Sequence, residues 1–175
     1  MKNEITGMRL RLIVMNFLQF AVWGAYLTSM GTYLFNIGLG AKIGLFYAMQ
    51  GIVSLFMPAI MGIIADRWVP AQKLYGFCHF MAAVFMVAAG WYGYVDGEAV
   101  NFGTLFTFYS LSVAFYMPTL ALTNSVAYTA LDKVKLDPVI AFPPIRIFGT
   151  IGFICSMLLT DILGCLLYTS DAADE

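Results

Sequence analysis

The sequence predicts an all-α integral membrane protein, and three observations carry that prediction. Charged residues make up only 11% of the 175 positions and hydrophobic ones 61%, where a soluble domain carries about 25% charged residues. The apolar residues come in long blocks of membrane-crossing length. The cations also fall unevenly between alternate connections. Lys2, Arg9, Arg11, Arg67, Lys73, Lys133, Lys135 and Arg146 lie on one side and Lys42 alone on the other. That bias places the N-terminus in the cytoplasm and puts Asp96 and Glu98 outside.

Arg9 and Arg11 lead straight into a first span over about residues 10–35, long enough to cross ~30 Å of hydrocarbon with tilt. No small-residue cleavage site follows a short apolar core, so this reads as an uncleaved span and not a signal peptide. Asn16, Gln19, Trp23, Tyr26 and Met30 recur at spacings of three and four. Polar groups in a membrane helix need partners, so the stripe is expected to face the bundle interior. Interhelical hydrogen bonding alone is the plainer reading of each member. Gly38 and Gly40 break the chain.

A second span covers about 43–65, with Gly44, Ala48 and Gly51 read as a small-residue seam for close packing and Pro58 expected to kink it. It ends in Gly62 to Trp68, reading GIIADRW. A third span runs about 74–95. Its His79 is read as a packing or hydrogen-bonding residue in preference to a proton carrier. A turn at Asp96, Gly97 and Glu98 leads to a fourth span over about 102–130. Pro118 is expected to interrupt it, and Tyr116, Thr119, Thr123, Asn124 and Tyr128 give it a polar side. Cys78 and Cys155 lie in apolar segments and read as packed thiols.

The stretch Phe142 to Phe153, FPPIRIFGTIGF, opens a fifth span over about 145–163. Proline is tolerated in the first helical turn, where its missing N–H would be unpaired anyway. Pro143 and Pro144 therefore read as the helix start, with Arg146 in the first turn. Helical periodicity puts Arg146, Thr150 and Phe153 on one face. That face offers a cation with five donors, a hydroxyl and an aromatic ring. Gly149 and Gly152 admit a close neighbouring backbone. The plainer alternative is an arginine snorkelling to the membrane surface.

Cys165 to Glu175, CLLYTSDAADE, is residue for residue a translation of the transposase adapter used in sequencing libraries. Residues 165–175 are therefore expected to be foreign, and the natural protein to continue past Gly164. Removing Asp171, Asp174 and Glu175 moves the formal charge from −1 to +2. Sequence of this origin is set aside in reading the fold.

Four stretches together resemble one family: FLQFAVWGAYLTSMGTYLF at 17–35, FMPAIMGIIADRW at 56–68, YMPTLALTNSVAY at 116–128 and FPPIRIFGTIGFI at 142–154. They are similar to the nucleoside:proton symporters of the major facilitator superfamily, the bacterial nucleoside and xanthosine permeases. The last stretch is the most specific, and the ADRW loop is general to the superfamily. The resemblance implies the major facilitator fold, twelve helices in two six-helix halves alternating access around a midplane site. About five helices of the N-terminal half would lie here, in a bacterial cytoplasmic membrane. It also implies proton-coupled nucleoside import with no cofactor beyond the coupling proton. The partners would be nucleosides, the lipid bilayer and a C-terminal half of the same protein, with no nucleic acid. Asp66 and Arg67 would form the cytoplasmic gating loop. Ala141 stands where close relatives carry an acidic residue, so no loop ion pair is expected there.

A nucleoside is neutral, with a flat base and a hydroxylated ribose. It needs ring faces and hydrogen-bond donors more than an opposite charge. Trp23 and Phe153 could supply faces, Gln19, Asn124 and Thr150 polar contacts, and Arg146 donors to ribose or base oxygens. A sugar or another small hydroxylated metabolite would use similar side chains. A membrane enzyme would need paired acids, a nucleophile–base couple or metal ligands within the membrane. Apart from Asp161 near a span end, the acids sit in loops or before the first span, and no metalloprotease, redox or P-loop motif occurs. A purely structural helical protein would need neither the polar stripe nor the arginine.

Overall fold

The computed structural model describes the backbone of residues 2–96 and 100–171 and the side chains of 4–96 and 100–164. Glu98 and the side chains of the expected adapter, 165–175, lie outside the described residues. Helices α1 (Lys2–Asn36), α2 (Ile43–Arg67), α3 (Ala71–Asp96), α4 (Phe102–Lys133) and α5 (Pro138–Asp171) follow one another, with a 3₁₀ turn at Gly40–Lys42. No strand occurs among the described residues. All five helices are long and apolar enough to cross a membrane. Every backbone polar group in hydrocarbon must be paired within its own segment, which helices alone achieve without an edge.

The helix ends have local causes. Gly38 adopts φ +76°, and the Gly38 and Leu39 amides donate back to the carbonyls of Phe35 and Leu34. This is a glycine C-cap, which ends α1 because a left-handed residue cannot continue the helix. The end of α4 uses the same pattern: the amides of Lys135 and Leu136 bond to the carbonyls of Asp132 and Leu131. Here the left-handed position, φ 57°, is filled by Lys135 instead of glycine.

Two expectations about the spans are corrected. α4 runs unbroken through Pro118. The proline is almost completely buried, and the hydroxyls of Thr119 and Thr123 donate to the nearby carbonyls of Tyr116 and Thr119 at 2.6 and 2.8 Å. The expected seam on α2 has no partner among the described residues: Gly44, Ala48 and Gly51 are exposed there, and no described atom lies within 4 Å of a Cβ built on either glycine. The inward face of α2 is Phe46, Gln50, Val53 and Met61. The expectation at Pro58 is a kink and not a break, and α2 is continuous there.

The chain divides into two compact units. One comprises Leu34–Val126, holding α2, α3 and most of α4. In it the Phe46 ring meets Phe102, Phe106 and Tyr109. Met61, Leu74, Cys78 and Leu122 form a second apolar cluster. The buried Gln50 amide donates to the Tyr109 hydroxyl at 2.6 Å, and Ser112 donates to the Ala82 carbonyl at 2.7 Å. His79 packs between the rings of Tyr75 and Tyr116 and bonds the Tyr75 carbonyl at 3.0 Å, the packing role expected of it.

The other unit joins α1, up to Tyr33, to the end of α4 and to α5. Its core is Leu12, Ala127, Ala130, Leu131, Ala141, Phe142 and Ile145. The polar stripe of α1 turns inward as expected: Asn16, Gln19 and Met30 are buried, Trp23 and Tyr26 half-buried.

Candidate binding site

The start of α5 places the arginine differently from the sequence reading. Asp137 is the N-cap, accepting the Val139 amide on its carboxylate at 2.9 Å, and Pro138 is the first helical residue. Pro143 and Pro144 therefore lie inside the helix. The carbonyls they leave unpaired belong to Val139 and Ile140, whose side chains are exposed. Asp–Pro satisfies both the capping and the N1 preference, so it outcompetes the proline pair. Arg146 consequently sits eight residues beyond Pro138, about 12 Å along the axis at 1.5 Å per residue.

At that position Arg146 turns toward α1. Its guanidinium carbon lies 3.9 Å from the centre of the Phe20 ring, a cation–π contact worth on the order of 1–2 kcal/mol when partly desolvated. Phe20 in turn meets Trp23 at 6.1 Å. Trp23 meets Phe153 edge-on at 5.7 Å. The result is a continuous row from α5 to α1 and back: Arg146, Phe20, Trp23, Phe153. It presents one cation and three ring systems within the unit.

Glycines make the row possible. A Cβ on Gly149 would lie 2.7 Å from the Phe20 ring and 2.8 Å from an Arg146 Nη. One on Gly152 would collide with the Phe17 carbonyl, and one on Gly24 with Ser156 and with the Phe153 carbonyl at 2.6 Å. α1 and α5 thus touch backbone to backbone at two levels, as small residues permit in membranes. The hydroxyls along this seam are satisfied locally, Ser156 by the Phe153 carbonyl and Thr28 by the Gly24 carbonyl.

Of the expected site residues, Arg146, Trp23 and Phe153 are brought together, with Gln19 buried on the same helix as Trp23. Thr150 is exposed, one turn beyond Arg146. Asn124 belongs to the other unit and is exposed there. Asp66 and Arg67 end α2 as exposed residues in that same unit. The sequence reading missed Phe20. Its spacing of three from Trp23 was the available signal, masked by the many other phenylalanines. Asn16 was noted only as part of the stripe. It is fully buried, its amide nitrogen donates to the Leu12 carbonyl at 2.9 Å, and its Oδ1 has no partner among the described residues.

Among the described residues no group of three or more His, Cys, Asp or Glu side chains could hold a metal. Among the described residues, five membrane-length helices and a cluster of one cation with tilted and edge-on rings mark a polytopic α-helical membrane protein. The chain matches the family described as Nucleoside H+ symporter over residues 6–170, and it belongs to that family. It is 42% identical over 156 residues to the xanthosine permease of Escherichia coli K12, an alignment covering 88% of this chain and 36% of the relative. It is 39% identical to the nucleoside permease NupG of the same organism, with 90% and 37% covered. The crystal structure of nucleoside transporter NupG superposes with a TM-score of 0.78 at 38% identity, over 90% of this chain and 38% of that one. A mutant of that transporter gives 0.80 at 39% identity. The expected major facilitator fold therefore stands. The chain spans a little over a third of the length of the curated relatives it matches.

Proposed function

We propose that this chain is the N-terminal part of a proton-coupled nucleoside symporter working by alternating access in a bacterial cytoplasmic membrane, and not an enzyme. The observation that carries the reading is the row Arg146–Phe20–Trp23–Phe153 in a member of this family. Ring edges and faces suit a flat base, and the planar five-donor guanidinium suits ribose or base oxygens. The contact with Phe20 holds the fork in one orientation, which limits the entropy lost when ligand binds. Gln19, Thr150 and Asn124 are proposed to add polar contacts. Asp66 and Arg67 are proposed to act in the gate, since a turn at the end of α2 lies far from a midplane site. The cation bias puts the N-terminus inside.

Proton coupling needs a titratable acid in a buried setting. Among the described residues Glu4, Asp66, Asp132, Asp137 and Asp161 are exposed and Asp96 is half-buried. The coupling carboxylate is therefore proposed to lie elsewhere in the protein, with Arg146 as its electrostatic partner. The test is pH-gradient-driven uptake of labelled uridine or adenosine by the full-length protein. Arg146→Ala should abolish uptake at normal expression, and Arg146→Lys should restore little, because a point charge lacks the planar fork. Wild-type uptake by Arg146→Ala would overturn the site. Uptake of a sugar with no nucleoside uptake would favour the alternative substrate class.

A further inference from the structure

We infer that the junction of the first turns of α1 with the end of α4 is a binding site for the headgroup of an anionic phospholipid. A cavity of about 530 Å³ opens there, lined by Glu4, Gly7, Met8, Arg11, Lys133 and Lys135, among others. Three cations face one carboxylate, a net lining charge of two positives. The proposed nucleoside site and gate use none of these groups.

Two further features fit a lipid in particular. The first lies along α1. Arg11, Val14, Leu18 and Val22 follow one another at spacings of three and four, so they share a face. The three apolar members are all exposed among the described residues, at 48%, 56% and 49%. From Arg11 to Val22 is eleven residues, about 16 Å of helix, which is one leaflet of a ~30 Å hydrocarbon core. A phosphate among the cations would have an acyl chain lying down this stripe. The second is Lys135, which occupies the left-handed position of the α4 C-cap at φ 57°. Glycine serves that position without strain, and a side chain there costs roughly 1 kcal/mol. The chain thus carries a cation at the cavity lip where the backbone favours no side chain. Basic pockets between membrane helices at the cytoplasmic face bind anionic headgroups in this way. The inference rests on the proposed orientation, which puts this end at the cytoplasmic leaflet.

The experiment uses the full-length protein in nanodiscs of phosphatidylcholine with and without phosphatidylglycerol. Lipid retained on release is counted by native mass spectrometry, for wild type, Lys135→Gly and Lys133→Gln. Wild type should retain phosphatidylglycerol in preference to phosphatidylcholine, and each variant should lose about fivefold in that preference, as expected for one surface cation. Lys135→Gly separates the lipid role from a turn-forming one. It relieves the left-handed strain, so melting in pure phosphatidylcholine should not fall, while lipid preference should. Equal retention of the two lipids by wild type, or unchanged preference in both variants, overturns the inference. So does stabilisation by inorganic phosphate equal to that by phosphatidylglycerol, which would make the site one for free anions. Nucleoside uptake by wild type in the same preparation reports separately on the transport reading.

Discussion

Replacing Gly152 by alanine tests the backbone contact on which the aromatic row depends. The added methyl would lie against the Phe17 carbonyl oxygen, 2.9 Å from its carbon and 3.1 Å from the Phe17 Cα. Ordinary contact begins at 3.4 Å, so at 2.9 Å the facing backbone must retreat by at least 0.5 Å. A side chain could rotate away, but a helix backbone moves only with its neighbours. The same displacement would pull Phe20 from Arg146 and Trp23 from Phe153. Overpacking of this kind costs about 1–3 kcal/mol, offset by up to about 1 kcal/mol gained on replacing glycine within a helix. The net expectation is a loss of about 1–2 kcal/mol. Gly44→Ala and Gly51→Ala provide the controls, since a Cβ at either meets nothing within 4 Å among the described residues, and they should be neutral or mildly stabilising. The assay is thermal unfolding of the full-length protein in detergent, with uptake measured per folded molecule. Gly152→Ala should melt below wild type and both controls, with reduced uptake. If it melts with the controls and transports normally, the close approach of α1 and α5 at Phe17 is refuted.

Other perturbations have defined outcomes. Asp137→Ala removes the N-cap of α5 and should lower stability by about 1 kcal/mol, with Asp137→Asn nearly neutral in the same melting assay. Tyr109→Phe deletes the hydroxyl that accepts from the buried Gln50 amide at 2.6 Å. The expected cost is about 1–2 kcal/mol, and a variant as stable as wild type would show that the bond contributes nothing. Asp66→Asn should slow interconversion of inward and outward forms, read by accessibility labelling on each face, with equilibrium nucleoside binding largely kept.

The sequence by itself determined the class of fold and the succession of helices. A membrane helix pairs its backbone groups within its own segment, so apolar length and capping residues are local information. The inward turn of Asn16, Gln19 and Met30 was legible for the same reason: helical spacing and the cost of polar groups in lipid both act within one helix. Tertiary structure decided which surfaces meet. Gly44 and Gly51 have the composition of a packing seam yet meet no neighbour among the described residues, while Gly24 and Gly152 touch a neighbouring backbone and Gly149 the Phe20 ring. No local property separates the two sets, because the difference lies in the opposing helix. Phe20 is one phenylalanine among fifteen until α5 brings Arg146 over its ring. The depth of Arg146 was settled by competition between two proline-containing starts, which the Asp137 cap decided in favour of Pro138. Helices are written in the order of residues along one chain, but a binding site is written in the distance between two of them.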